Sequence, residues 1–213
     1  TGIRLTIGPE RDGARSGAGW SEPRASAPRA PHDLGVDADH RYVDVELAGT
    51  GGMGAVMVAR DRRLGREVAV KRILAEPDDV AAAARLAREA EITARLEHPS
   101  IIPIYDAGVG PDGRAYYAMR LIRGRSMAEV LTDAGSLDAR LALVRPFLAV
   151  CQAMAYAHRH GVLHRDLKPA NIMIGEFGEV HVVDWGLARL LTEAEPEHEA
   201  LAGTPAYLAP ERA

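Results

Sequence analysis

A glycine cluster between two strand-like segments is the feature that most constrains the fold of this chain. Gly49, Gly51 and Gly54 follow the spacing G-x-G-x-x-G, residues 42–47 alternate like a half-buried strand, and residues 55–59 form a second strand-like run. A Rossmann dinucleotide loop would open a helix here, and a P-loop would end in Gly-Lys-Ser/Thr. The sequence therefore predicts a glycine-rich hairpin. Such a hairpin can cover a nucleotide with its backbone N–H groups, although a simple tight turn has the same spacing.

Apolar periodicity and the positions of Gly and Pro predict the remaining elements. Further strands are expected at residues 67–71, 101–106 and 115–121, and two short apolar runs follow at residues 171–174 and 180–183. Helices are expected at Pro77–Glu97, which His98-Pro99 would end, and at Ser136–His160. In the second helix, steps of three and four predict a buried face made of Leu137, Leu141, Val144, Leu148, Cys151, Ala155 and His158. The chain is thus expected to begin strand-rich, with one helix, and to continue mainly helical.

Lysine and asparagine are nearly absent from the sequence. The chain has 26 Lys and Arg residues, but only Lys71 and Lys168 are lysine, and Asn171 is the single asparagine. Where arginine serves for almost every cation, a retained lysine suggests a site that needs a compact ammonium group. An asparagine carbonyl is a hard oxygen ligand of the kind that Mg²⁺ prefers. Chance would explain one such residue at a surface position, but all three fall inside motifs.

Four motifs follow one another at ordered spacing. Residues 68–71 read Val-Ala-Val-Lys, and residues 164–171 read His-Arg-Asp-Leu-Lys-Pro-Ala-Asn, which fits H-R-D-L-x-x-x-N without a mismatch. Residues 184–186 read Asp-Trp-Gly, and residues 203–211 end in Ala-Pro-Glu. With the glycine hairpin, these motifs resemble the catalytic domain of eukaryotic-type (Hanks-type) bacterial serine/threonine protein kinases over residues 42–211.

The resemblance implies an α+β, two-lobed protein-kinase-like fold, with a small antiparallel β lobe carrying one helix and an incomplete, mainly helical lobe. Its parts are expected at residues 41–118 for the small lobe, 119–122 for the hinge and 123–213 for the partial large lobe. Residues 1–40, rich in Gly, Ala, Pro and Arg, are expected to be a disordered arm. We expect the natural protein to continue with further helices, and this chain to expose apolar surface where they belong.

The resemblance also implies roles for individual residues. Lys71 and its helix partner Glu89 would position the ATP phosphates, Asp166 would orient the acceptor hydroxyl, and Lys168 would steady the transferring group. Asn171 and Asp184 would hold Mg²⁺. The nucleotide pocket would be formed by Gly49, Thr50, Gly51, Gly52, Met53, Gly54, Val56, Ala69, Lys71, Met119, Arg120, Leu121, Ile122 and Met173. Thr192 and Thr204 are the candidate phosphorylation sites in the segment after Asp184.

Two glutamates of the predicted helix could pair with Lys71, and one motif residue departs from the family. Glu89 best fits the family's spacing to its His-Pro step, and Glu91 lies about 200° around the helix, so only one of them can face Lys71. Trp185 stands where the family has Phe; it is aromatic but larger, which leaves the position of the following loop open.

ATP and Mg²⁺, with Mn²⁺ as a substitute, are the cofactors that the resemblance implies, and protein hydroxyls are the substrates. Self-association for trans-autophosphorylation is a further partner interaction that it allows. A net charge of −4 and a pI of 6.1 argue against a nucleic-acid partner. No stretch reaches the roughly 18 consecutive apolar residues of a membrane helix, so we expect a cytoplasmic domain, with any membrane anchor beyond residue 213.

Three alternatives stay open at this point. A non-catalytic pseudokinase or scaffold would be expected to lack Lys71, Asp166 or Asp184, and all three are present. A small-molecule phosphotransferase would be expected to lack the segment ending in Ala-Pro-Glu. His158, His160 and His164 have a spacing that could suit a metal, although the catalytic motif already accounts for this region.

Overall fold

The computed structural model describes residues 41–51, 54–192 and 203–208. The predicted disordered arm at residues 1–40 therefore lies outside the described residues, as do Gly52, Met53 and the Ala-Pro-Glu motif at residues 209–211. The predicted domain limits at residues 40, 118 and 122 stay predictions.

The first part of the described chain is a five-stranded antiparallel sheet with one helix, as the sequence predicted. The strands run in the order β1-β2-β3-β5-β4. Their bounds are Tyr42–Gly51 for β1, Gly54–Asp61 for β2, Arg66–Arg72 for β3, Ile104–Val109 for β4 and Ala115–Arg120 for β5. Helix α1, Val80–Ala94, packs against β4 and β5. An apolar cluster that includes Ile73, Leu86, Ala90 and Tyr117 fills the space between the sheet and α1.

The second part combines helices with short strands. The helices are α2, Met127–Asp133; α3, Leu137–Leu141; and α4, Val144–Arg159. The strands are β6, Gly124–Ser126; β7, Val162–Leu163; β8, Ile172–Gly175; β9, Val180–Val182; and β10, Arg189–Leu190. Strands β6, β8 and β9 form one small sheet, and β7 pairs with β10. Helix α4 packs on β7 and β9, which places the loop after β7 and the loop after β9 side by side.

Backbone and side-chain contacts explain several element ends. Helix α1 begins after Asp79, whose side chain accepts a hydrogen bond from the N–H of Ala82 at 2.8 Å. It ends at Ala94, so it is shorter at both ends than the predicted Pro77–Glu97. The strand expected at residues 101–106 forms at Ile104–Val109 instead. Ile101 does not join this strand, because it makes an isolated parallel bridge to Val182. That bridge connects the first part of the chain to the second.

The predicted long helix at Ser136–His160 is wrong in one respect. The chain turns at Ala142 and Leu143, so two helices, α3 and α4, replace it. The segment Leu137–Arg159 is long and apolar enough to cross a membrane. Core helices of globular proteins pass the same test, so this is only weak evidence for a membrane span.

The predicted buried stripe of this helical region is also wrong. Four of its leucine and valine members are more than half exposed: Leu137, Leu141, Val144 and Leu148. Cys151, Ala155 and His158 are exposed as well. The buried face consists of Val150, Ala153, Met154 and Ala157, which keep the helical spacing of three and four. Helix α4 therefore has two apolar faces, and periodicity does not reveal which one meets the core. The small Ala153 and Ala157 let the backbone approach β7 and β9 closely.

Candidate active site

Three charged side chains meet where the sheet, α1 and the loop after β9 come together. The Nζ atom of Lys71, on β3, lies 2.6 Å from Oε1 of Glu89 and 3.0 Å from Oδ1 of Asp184. Lys71 and Glu89 are each 3% exposed. Glu91, the alternative partner, is exposed and pairs with Arg95 on the surface of α1. The structure therefore places Glu89, and not Glu91, against Lys71.

Burial and charge act in opposite directions on this group of side chains. Burial tends to lower the pKa of Lys71, but the attraction of Glu89 and Asp184 outweighs it and raises the pKa above the ordinary lysine value. Burial raises the pKa of Glu89, and the positive charge of Lys71 reduces this rise without cancelling it. Lys71 is thus a charged, fixed ammonium that faces a cavity.

The loop after β7 gathers a second set of polar groups around Asp166. Lys168 Nζ lies 2.7 Å from Asp166 Oδ2 and 2.8 Å from Thr204 Oγ1, and the Thr204 hydroxyl donates to Asp166 Oδ1 at 2.6 Å. Asn171 Nδ2 donates to the carbonyl oxygen of Asp166 at 2.9 Å and to its Oδ2 at 3.1 Å. Desolvation would raise the pKa of Asp166, but the bonds from Lys168 and Thr204 outweigh it and lower the pKa. Asp166 is therefore an ionised carboxylate.

The backbone is held in unusual conformations at both ends of this arrangement. Arg165 has φ of 64° and Asp184 has φ of 61°, and neither is glycine. Non-glycine residues adopt such values rarely, and they do so mainly at functional sites. Arg165 Nε donates to the carbonyl oxygen of Leu187 at 2.7 Å, which ties the loop after β7 to the loop after β9.

Trp185 lies beneath these loops in the apolar core. It is 1% exposed, and its ring centroid is 4.6 Å from that of His164. Its indole Nε1 donates to the carbonyl oxygen of Val182 at 3.4 Å, so its polar atom has a partner. The ring of His164 approaches the carbonyl oxygen of Val183 at 3.3 Å, and burial lowers its pKa, so it is neutral. The larger aromatic ring is therefore accommodated while Asp184 still reaches Lys71.

A cavity between the two parts joins the groups described above. It is lined by Val56, Ala69, Lys71, Ile102, Tyr117, Met119, Arg120, Ile122, Ala170, Asn171, Met173, Val183 and Asp184. Gly49, Thr50, Gly54 and Leu121 were also expected in the pocket but are not among these lining residues. Leu121 packs against the apolar cluster to which Val56, Ala69 and Met173 belong. Ile102, Tyr117, Ala170 and Val183 were not anticipated. For Tyr117 the signal was available, because it lies two residues before Met119 on one strand and so shares its face.

The glycine hairpin closes the β1–β2 end of the sheet. Gly49 pairs with Val56, Thr50 with Ala55, and Gly51 with Gly54. Gly54 has φ of 154°, and a Cβ atom there would lie 2.2 Å from the carbonyl oxygen of Arg72. Only glycine is therefore tolerated at residue 54.

Asn171 and Asp184 are suitable ligands for a hard cation. Both line the cavity, and both offer oxygen donors of the type that Mg²⁺ accepts together with phosphate oxygens. Because Asn171 donates through its amide nitrogen to Asp166, its carbonyl oxygen is oriented away from that carboxylate. Within residues 41–51, 54–192 and 203–208, no group of three or more His, Cys, Asp or Glu side chains could hold a metal, so the histidine interpretation has no structural support.

The two candidate phosphorylation sites have different surroundings. Thr192 is exposed at the end of the segment after β10. Thr204 is partly buried against Asp166 and Lys168. Residues 193–199, which include Glu193, Glu195, Glu197 and Glu199, lie outside the described residues.

Comparison with known proteins identifies the family. The protein kinase domain family matches residues 42–213. The chain is 40% identical over 205 residues to the serine/threonine-protein kinase PknD of Protochlamydia amoebophila, an alignment that covers 81% of this chain and 20% of that protein. It is 39% identical over 180 residues to the serine/threonine-protein kinase PknB of Mycolicibacterium smegmatis, covering 81% and 29%. The probable serine/threonine-protein kinase PknB of Corynebacterium glutamicum is 40% identical over 185 residues, covering 84% and 28%.

These relatives are much longer than the chain, which spans between a fifth and three tenths of their length. The match nevertheless includes every residue given above as lining the cavity, from Val56 to Asp184. The chain belongs to the protein kinase family, and its relatives are bacterial Hanks-type serine/threonine kinases.

Proposed function

We propose that this protein is an ATP-dependent serine/threonine protein kinase, which transfers the γ-phosphoryl group of ATP to hydroxyl groups of proteins in bacterial signalling. One observation carries the proposal. The Lys71–Glu89–Asp184 group and the Asp166–Lys168–Asn171 group come together from different elements, and members of both line one cavity. Phosphoryl transfer depends mainly on such positioning and on electrostatic stabilisation.

In this proposal each group has one task. Lys71, fixed by Glu89, contacts nucleotide phosphates, and Lys168 stabilises the charge on the group in transit. Asp166, an ionised carboxylate, orients the acceptor hydroxyl and takes its proton as the oxygen forms a bond to phosphorus and the bond to ADP breaks. Asn171 and Asp184 would hold Mg²⁺ or Mn²⁺, which neutralises phosphate charge when it is bound.

The apolar lining of the cavity suits a flat purine ring. Val56 and Ala69 come from the sheet, Met173 from β8, and Met119 from the end of β5, and all four are buried. The ring would contact the backbone of Arg120–Ile122, so the arginine side chain at residue 120 is compatible with ATP. We also propose a cytoplasmic location, where ATP is available, and self-association that would allow phosphorylation of Thr192 or Thr204 in trans.

The test is phosphate transfer from Mg·ATP to the natural full-length protein and to a generic acceptor protein, followed by mass spectrometry. Transfer to Ser or Thr that is lost in Asp166→Asn would establish the kinase activity. That variant keeps the size of the side chain but removes its charge, so folding is checked by circular dichroism.

Two outcomes would contradict the proposal. No transfer by a folded protein that binds Mg·ATP would favour a scaffold. Phosphorylation of a small alcohol, with every protein left unlabelled, would favour a small-molecule phosphotransferase.

A further inference from the structure

A tyrosine next to Lys71 shares its contact with the helix. Strand β3 pairs with β5 in a register that places Tyr117 directly opposite Lys71. Residues paired in this way have side chains on the same face of the sheet, close to one another. Both side chains point toward α1, and both donate to the same oxygen, Oε1 of Glu89: Lys71 Nζ at 2.6 Å and Tyr117 Oη at 2.8 Å.

All three side chains are buried, which makes each donor important. Tyr117 is 4% exposed, and Lys71 and Glu89 are each 3% exposed. A buried carboxylate is costly unless its oxygens accept hydrogen bonds, and bonds to charged groups are the stronger ones. Tyr117 thus supplies a neutral donor to Glu89 that adds no further charge to the cavity it lines.

The two donors differ in what else they bind. Lys71 is shared, because its ammonium also lies 3.0 Å from Asp184 and faces the cavity that would hold the nucleotide. The Tyr117 hydroxyl, by contrast, donates its one proton to Glu89. When Lys71 turns part of its hydrogen-bonding capacity to phosphate oxygens, the bond from Tyr117 does not have to change.

We infer that Tyr117 is a positioning residue that fastens Glu89, and with it helix α1, to strand β5, so that Lys71 stays aligned while it engages the nucleotide. This inference rests on the proposed function, since it assigns a task to the same site. Tyr117 acts through Glu89 and does not itself touch the reacting atoms.

The test is a double-mutant cycle in the natural full-length protein. Tyr117→Phe removes the hydroxyl and keeps the ring in the core. We expect it to lower kcat/KM for ATP about tenfold, as loss of one hydrogen bond to a buried charged group does. In a Glu89→Met background, which has no acceptor at this place, the same substitution should change kcat/KM by less than about twofold.

A matched control is available on the same strand. Tyr116 is also buried, but it lies on the other face of the sheet, where its ring packs edge-on against that of Tyr42 at 5.9 Å between centroids. Tyr116→Phe removes a hydroxyl from the same strand without touching Glu89, and we expect kcat/KM to stay within about twofold of the parent.

The outcomes separate this inference from the proposed function. An equal effect of Tyr117→Phe in both backgrounds would show a packing role and overturn the inference, as would no effect in the parent. If the parent transfers no phosphate, the proposed function fails, and the same cycle is run on the dissociation constant of Mg·ATP, where the same pattern is expected. A parent that does not bind Mg·ATP would overturn both.

Discussion

Asp166 has donors on both of its carboxylate oxygens. Lys168 and Asn171 donate to Oδ2, while the hydroxyl of Thr204 occupies Oδ1 at 2.6 Å. In the proposed reaction, the hydroxyl of an acceptor protein has to lie beside the Asp166 carboxylate, as the Thr204 hydroxyl does here, to give up its proton. Thr204 therefore connects the catalytic loop to the segment at residues 203–208 and fixes the direction in which the carboxylate points.

The first prediction concerns Thr204. Thr204→Val keeps the shape of the side chain but removes the oxygen that bonds both Asp166 and Lys168. We expect kcat for a protein acceptor to fall about tenfold, because Lys168 and Asp166 lose a shared partner. Steady-state kinetics with Thr204→Ser as the control, which should stay within about threefold of the parent, would check this. Equal rates for the valine and serine variants would contradict it.

For individual residues, the sequence predicted the site correctly where the type of side chain decides the chemistry. Lys71, Asp166, Lys168, Asn171 and Asp184 carry a recognisable pattern, and the structure gathers them. The position of Tyr117 on the cavity face could have been inferred from its spacing to Met119, but its contact with Glu89 depends on the register between β3 and β5, which a single sequence does not contain. Thr204 was considered only as a phosphorylation site, since its contact with Asp166 spans 38 residues.

Between elements, a partly buried ion-pair network ties the start of β1 to the turn between β2 and β3 and to β4. Arg41 lies 2.9 Å from the carboxylate of Asp61 and 2.7 Å from that of Asp106. Asp61 is fully buried and also accepts from the backbone N–H of Arg63, which shapes the turn. The bond from Arg41 is the main reason that the pKa of Asp61 is lowered from its ordinary value of 3.8.

The second prediction is that Asp61→Asn lowers the free energy of unfolding by about 3 kcal/mol at pH 7, since it leaves buried donors with a weaker acceptor. A carboxyl with a lowered folded-state pKa stabilises the protein fully above its ordinary value of 3.8, and this contribution is lost as the pH falls below it. The loss of stability on acidification should thus be smaller in the variant.

Urea unfolding followed by circular dichroism between pH 7 and pH 3 would measure both effects. Asp112→Asn is the control, because Asp112 also pairs with an arginine, Arg72, but is one-third exposed. It should change the unfolding free energy by less than about 1 kcal/mol. Parallel pH curves for the parent and Asp61→Asn would contradict the prediction.

Element type was easier to predict than element limits. The hairpin of β1 and β2 follows from its glycines and alternating residues, but α1 ends well before His98 because Arg95 and Leu96 already form its closing turn. The break at Ala142 and Leu143 has a signal in the sequence, because Pro146 has no N–H to donate to the carbonyl oxygen of Ala142 and its ring disfavours a helix that continues through that residue. The prediction of one long helix overlooked this proline. The end of α1 carries no such signal and depends on tertiary packing, which overrides local preference.

Across the whole molecule, the two apolar faces of the α3–α4 region have different surroundings. The face with Met154 packs in the core, whereas Phe147 is 59% exposed and Leu148 is 56% exposed. Both faces have helical spacing, so the choice between them was not available from the sequence. It depends on which face meets β7 and β9, a property of the folded chain.

The third prediction follows from this difference. In the 213-residue chain, Met154→Ala should lower the free energy of unfolding by about 3 kcal/mol, as the loss of a buried methionine does. Phe147→Ala, its control on the other face, should lower it by less than about 1 kcal/mol. Urea unfolding would measure both. A loss of about 3 kcal/mol or more for Phe147→Ala would show that another segment or a second copy covers that face.

The positions of the two lysines have a further consequence for chemical labelling. Lys71 projects into the cavity, and Lys168 lies beside Asp166, so every side-chain amine of these 213 residues belongs to the active site. Arginine, which supplies the other cations, does not react with acylating reagents at neutral pH, because its guanidinium stays protonated. An acyl-phosphate derivative of ATP would therefore attach its tag to the active site and to no other side-chain amine of this sequence.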